Sequence, residues 1–188
     1  MTDALTFLKT RRSTPAKTLK APVPSKAEIE ALLEIAARSP DHKKLEPWRF
    51  VVLSTAALKR LGPLAEARYD MLDLPAEKRA KACSQFNDGL LAVAVIASPK
   101  PCDSIPEVEQ TLSAGAVCLA LLNGALASGW GANWLSGPMA FDHAFLTQGL
   151  GLGPQEFVAG FIHIATRSTT PPERPRPDVP SLTSWLNS

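Results

Sequence analysis

The sequence predicts one domain that combines helices with a core of buried strands. Three observations predict it. Leu90 to Ala97 is an uninterrupted apolar run, the mark of a central strand buried on both faces. Trp48 to Leu53 is dense in aromatic and β-branched residues, as strands favour. Between them lie stretches with helical periodicity and helix-start chemistry. The chain has 188 residues, enough for one domain with a real core, and no internal repeat marks a second.

The elements follow in order. Asp3 to Thr10 predicts a short helix with Leu5 and Leu8 on one face. Lys17 to Pro24, with two prolines, predicts an extended connector. Ser25 with Glu28 three residues later is a capping-box pattern. Ile29, Leu32, Leu33 and Ala36 form the stripe of that helix, which Pro40 stops. Helices are expected over 56–69 and 76–87. Pro106 to Ser128 predicts a long helix, with proline at its start and Glu107 and Glu109 in its first turn. It is apolar nearly all round, so burial on every side is expected, and its length suggests a subunit interface. Ala132 to Leu135 and Phe157 to Thr166 predict strands, and Asp142 to Gln148 a brief helix. From Ser168 onward five prolines favour an extended arm, with Leu182, Trp185 and Leu186 as apolar anchors at its tip. The arm suits either a clasp on a partner subunit or packing on its own domain.

Composition excludes several function classes. Lys and Arg number 20 against 18 Asp and Glu, so the chain carries no electrostatic footprint for nucleic acid or anionic membrane. Any anion site must be local. The three cysteines, Cys83, Cys102 and Cys118, lack metal or redox spacing and read as free thiols, which fits a reducing cytoplasm. The first nine residues lack the pattern of a secretory signal. Gln110 to Phe141 holds no charged side chain, yet its Asn123, serines and glycines read as a buried helix running into a loop, with a membrane span as the weaker alternative. His143 and His163 are too isolated for a metal site, and no Ser–His triad is supported. The string Gly149 to Pro154 mimics a dinucleotide-binding loop but follows a helix rather than a strand.

Three clusters carry chemistry. Arg11, Arg12 and Ser13 suit a phosphate, since guanidinium groups supply charge and paired donors. Neighbouring residues cannot all point one way, so one arginine binds while the other pairs elsewhere. Arg38-Ser39-Pro40-Asp41-His42-Lys43, leading to Glu46-Pro47-Trp48, is a turn bounded by prolines whose polar groups can converge on a flat ring. Gly129-Trp130-Gly131 through Trp134-Leu135-Ser136-Gly137 is a glycine loop that lets backbone approach a planar ligand. Each cluster alone is equally a solvated helix end, a surface turn or a packing motif.

These motifs in this order, with Ser113-Ala114-Gly115 in the long helix, resemble the nitroreductase family of flavin enzymes, in particular its small single-domain members. The resemblance spans nearly the whole chain. It implies an α+β fold with a central, mostly antiparallel sheet flanked by helices, a long interface helix, a homodimer, and FMN at the subunit boundary. It implies that Arg11, Arg12 and Ser13 hold the phosphate and ribityl end, that Arg38 and His42 reach the flavin across the interface, and that Leu135, Ser136 and Gly137 lie near the phosphate or ring edge. Ala125, Leu126, Ala127, Ser128, Gly129 and Trp130 fall where the NADH or NADPH donor is assigned in similar proteins. The chemistry would be ping-pong transfer from NAD(P)H through FMN to nitroaromatics, quinones or free flavin. Three departures stand out. Glu46 replaces a common glutamine, Leu135 stands where a relative has arginine, and Arg167 is the available basic residue near the C-terminus. The alternatives are a flavin carrier or sensor without turnover, and an interaction protein using the proline-rich arm.

Overall fold

The structure is a computed structural model that describes residues 3–186. Five antiparallel strands form its sheet. The eleven-residue β5 (Phe157–Arg167) is its spine. Strand β3 (Leu91–Ala97) runs along one edge of β5 and β4 (Gly131–Leu135) along the other, while β2 (Trp48–Ser54) pairs with β3. The two-residue β1 (Leu19–Lys20) pairs with Thr166 and Arg167. It falls inside the segment expected to be a plain connector. Two residues between prolines carry no alternation that sequence could reveal.

Helices cover both faces, which explains the unbroken apolar run of β3. Ala92, Ala94 and Ile96, with Phe161, face α3 (Thr55–Met71), α4 (Arg79–Asn87) and α6 (His143–Leu150). Phe86 stacks tilted on Phe145 at 5.1 Å and edge-on to Phe161 at 5.5 Å, joining two helices to the sheet. Val93 and Val95, with Ile162 and Ile164, face α2 (Lys26–Ala36) and α5 (Glu107–Ala127). The α2 and α5 backbones cross closely at Gly124, where a Cβ would lie 3.3 Å from Ile35.

Local chemistry sets the helix ends. The Ser25–Glu28 capping box is formed in both directions. Helix α3 keeps Pro63 in its interior and begins one residue before the expected span, capped by Ser54. The helix expected over 76–87 is a 3-10 turn at Ala76–Lys78 followed by α4. Asp142 caps α6 by accepting from the Phe145 amide at 3.1 Å, and Gly151 (φ 67°) closes it in the left-handed region. That closure accounts for part of the glycine string at 149–153.

Asp142 also receives both Arg68 guanidinium donors, at 2.7 and 2.9 Å, tying α6 to α3. Those bonds hold its carboxyl below the usual carboxylate range. Asp142→Ala removes a cap and strands Arg68, so we expect a loss of about 2–3 kcal/mol. A thermal melt should fall by about 5–10 °C, and an unchanged midpoint would refute this role for the pair.

The long helix departs from expectation. Its inner face is buried on the sheet and α2, but Val108 and Leu112 are 61% and 68% exposed and Leu119 is also exposed. A Cβ at Gly115 would meet nothing within 4 Å. These residues fall at steps of four, three and four, one helical stripe. Burial on all sides therefore fails within one protomer, because a sheet can cover only one side of a helix. At 21 residues α5 is long and apolar enough to cross a bilayer, but it lies packed on the sheet with half its most apolar stretch buried. In α1 (Ala4–Thr10), Leu5 and Leu8 share one face as expected, and both are exposed. At the end of the arm Leu182, Trp185 and Leu186 are exposed as well, so its tip does not pack on its own domain.

Candidate functional site

The first cluster forms at the exit of α1. Arg11 caps that helix, its amide donating to the Phe7 carbonyl at 2.8 Å. Three residues on, Thr14 is buried and locked to β4: its amide donates to the Ala132 carbonyl at 2.8 Å, and Asn133 donates to the Thr14 carbonyl at 2.8 Å. Residues 11–13 are thus strung between α1 and the glycine-loop strand. The Arg11 Nη2 donates to Ser13 Oγ at 3.0 Å, while its Nε is buried with no partner among the described residues. Burial and the charges of Arg176 and Arg12 lower the Arg11 pKa. Arg12 turns to the C-terminal arm, donating to the Pro172 carbonyl and pairing with Glu173 at 3.4 Å. The two adjacent guanidinium groups thus take different partners, Ser13 for Arg11 and the arm for Arg12.

Arg174 and Arg176, with Pro175 and Pro177, complete a cleft of about 610 Å³ around Arg11, Arg12 and Ser13. Four arginines and a serine line one space. Arg167, a candidate for this role or for a plain surface role, does not line it. It ends β5, paired with Leu19, and its Cβ lies against Gly131. The arm supplies the cations instead. Their signal in sequence was Arg174-Pro-Arg176, which local reading assigns to a plain extended segment.

The second cluster is a strained turn. Lys43, Lys44 and Glu46 adopt φ of 57°, 55° and 49°, the left-handed region that such residues avoid. Side-chain bonds hold it there. Glu46 N donates to Asp41 at 2.6 Å, Lys43 donates to Ser104 at 2.9 Å, and His42 Nδ1 lies 2.8 Å from a Glu109 carboxylate oxygen. Ser113 donates to the Pro40 carbonyl at 2.7 Å and accepts from the Trp48 indole at 3.2 Å, which gives the Ser113-Ala114-Gly115 segment a physical role. Arg38 lines a separate cleft of about 260 Å³ with Asp41 and Trp48. Within one protomer Arg38 and His42 do not share the Arg11 cleft. His42 sits on the start of α5, where its partner Glu109 is flanked by Val108 and Leu112 of the exposed stripe.

The third cluster meets α4. Gly137 has φ 86°, so the loop needs glycine there. Gln85, buried on α4, donates to the Ser136 carbonyl at 2.8 Å, and its Oε1 has no partner among the described residues. Gln85 and Leu135 border two spaces. One is a largely apolar groove of about 620 Å³ walled by Tyr69, Leu74, Pro75 and Trp134, with Lys78 and Lys81 at its rim. The other is a cavity of about 130 Å³ reaching His163. Burial pushes the His163 pKa down to about 4, and its Nε2 is also unpartnered. Buried polar atoms rarely stay unpaired, so both fit a polar ligand edge or ordered water. Sequence reasoning missed Gln85 because one glutamine on a short helix carries no motif, and it set His163 aside as isolated. In the segment 125–130, Ala125 is buried against the sheet, whereas Ala127, Ser128 and Gly129 are exposed at the turn where Gly129 takes φ 89°.

Comparison with known proteins places the fold first. A nitroreductase-like family protein from Bacillus cereus superposes with a TM-score of 0.81 at 21% identity, covering 100% of this chain and 98% of its own. A Bacteroides fragilis nitroreductase with bound FMN superposes with a TM-score of 0.77 at 17% identity over the whole of both chains. The architecture is therefore the nitroreductase-like α+β fold. A Haemophilus influenzae protein provisionally named an NAD(P)H nitroreductase is 36% identical over 165 residues, 87% of this chain and 88% of that protein. Escherichia coli YdjA, named in the same terms, is 29% identical over 164 residues, again 87% and 88%. The nitroreductase family model matches residues 8–166. The chain belongs to the nitroreductase family and is an oxidoreductase enzyme.

Proposed function

We propose that the chain is an FMN-dependent NAD(P)H oxidoreductase acting as a homodimer on small oxidised acceptors such as nitroaromatics or quinones. The observation that carries this reading is the arginine cleft, with the Arg11 Nε buried and unpaired beside Ser13. A phosphomonoester matches those donors in charge and geometry. Arg11, Arg12 and Ser13, helped by Arg174 and Arg176, would hold the phosphate. Leu135, Ser136 and Gly137, braced by Gln85, would present backbone to the ring, and the unpaired Gln85 and His163 atoms suit its polar edge. The partner subunit's Arg38 and the partner subunit's His42 would close the site across the α5 stripe. Bound FMN supplies the hydride exchange between donor and acceptor. The protein's task is positioning and exclusion of water. The groove walled by Tyr69, Leu74 and Trp134 offers apolar surface for a donor or acceptor ring, and the exposed turn 127–129 suits the remainder of NADH or NADPH.

The apolar Leu135, in place of a relative's arginine, favours a second reading: a flavin carrier without turnover. One experiment separates them. The purified protein reconstituted with FMN should show flavin absorption that bleaches when NADPH or NADH is added anaerobically and returns with an acceptor. Tight FMN binding without bleaching favours the carrier, and a chain that binds no FMN refutes both.

A further inference from the structure

The arm brings an anion of its own to the arginine cleft. Glu173 pairs with Arg176 at 3.0 Å and with Arg12 at 3.4 Å, and its Oε1 also accepts from the Arg174 amide at 2.8 Å. Among the described residues it is the one carboxylate bonded to this cluster. We propose that Glu173 is the cleft's internal competitor: its carboxylate engages Arg12 and Arg176, and an incoming phosphate must displace it to claim them. The inference rests on the FMN reading only for the identity of the physiological anion.

The geometry separates competition from support. Arg12 also donates to the Pro172 carbonyl, so the arm is tethered independently of the Glu173 carboxylate. Among the described residues Arg11 has no carboxylate partner, and the charges of Arg176 and Arg12 repel it. A dianion entering beside Ser13 relieves that repulsion, whereas the Glu173 carboxylate is engaged with Arg12, Arg176 and the Arg174 amide. Glu173 is 69% exposed and free to swing into water when displaced. Its carboxyl is held below the usual range by the Arg174 amide and by the charges of Arg176 and Arg12, so it competes as an anion at neutral pH. Glu173 therefore sets a threshold that a multiply charged phosphate passes more readily than a singly charged anion.

The test compares FMN with riboflavin, which lacks the phosphate. Dissociation constants are measured by quenching of flavin fluorescence on flavin-free wild type and Glu173→Gln. The glutamine keeps an acceptor for the Arg174 amide and removes only the charge. Exposed ion pairs are weak, so FMN should bind about two- to fivefold tighter to the variant, with riboflavin unchanged. Unaltered FMN affinity in the variant would overturn the proposal, and so would weaker binding, which would make Glu173 a strut for the arm. Wild type that binds FMN no better than riboflavin would overturn the phosphate reading of the cleft. Inorganic phosphate titrated into both proteins would then decide the role of Glu173 on its own, by whether the variant binds it more tightly.

Discussion

Arg11→Ala should weaken FMN binding about 10- to 100-fold, the loss expected for removing a charged hydrogen-bond partner from a half-enclosed site. Arg11 is the guanidinium best placed for this effect. Its Nη2 already orients Ser13, and among the described residues its buried Nε is unpaired and it has no carboxylate partner. Folding should be little disturbed, because its one recorded side-chain bond is local to Ser13 and the backbone anchor of the segment lies at Thr14. Fluorescence titration and a thermal melt of the flavin-free protein check both halves. Riboflavin affinity should not change. A variant that retains FMN as wild type does would remove the phosphate assignment at its strongest residue.

In the proposed homodimer, Leu112→Asp should convert the dimer to a monomer. Leu112 is the most exposed member of the stripe Val108, Leu112, Leu119 on α5. In a two-fold dimer every substitution acts twice. Each copy loses the burial of a leucine, about 2 kcal/mol, and adds a desolvated carboxylate. The combined penalty should raise the dimer dissociation constant by at least about a thousandfold. Within one protomer the aspartate would lie on an exposed face, so the fold should persist. Sedimentation or light scattering reads the mass. FMN retention should fall with it, because the partner subunit's Arg38 and the partner subunit's His42 would leave with the partner. An unchanged oligomeric state would locate the interface elsewhere.

Gly115 gives the same face a second reading. Its neighbourhood within the protomer is empty, so nothing in one copy demands glycine there. Close approach of another backbone would demand it. The exposed Leu5 and Leu8 of α1 and the arm tip at Leu182, Trp185 and Leu186 add apolar surface without cover in one copy.

Much of this architecture was legible in the order of residues. The β3 run, the capping box at Ser25 and the proline-led start of α5 each follow from rules that act within one turn or one strand. Hydrophobic pattern and backbone sterics are local, and so were the expectations that succeeded. The joint order of the Arg11, Arg38 and Gly129 clusters pointed to the family, which the match over residues 8–166 shows.

Other features depended on distance in the chain collapsing to distance in space. Arg174 and Arg176 reach Arg11 and Arg12 across some 160 positions. Arg167, a nearer guess, ends β5 paired with Leu19 and does not line that cleft. Gln85 meets Ser136 across 51 positions, with no motif at either end. The one-sided burial of α5 likewise came from which surfaces the sheet and α2 leave uncovered. Composition and periodicity dictate which segments are helix or strand and which cofactor chemistry to seek. Which charges share a cleft, and which apolar face is left open, arises from packing, because Coulombic and hydrophobic contacts are scored between neighbours in space whatever their separation along the chain.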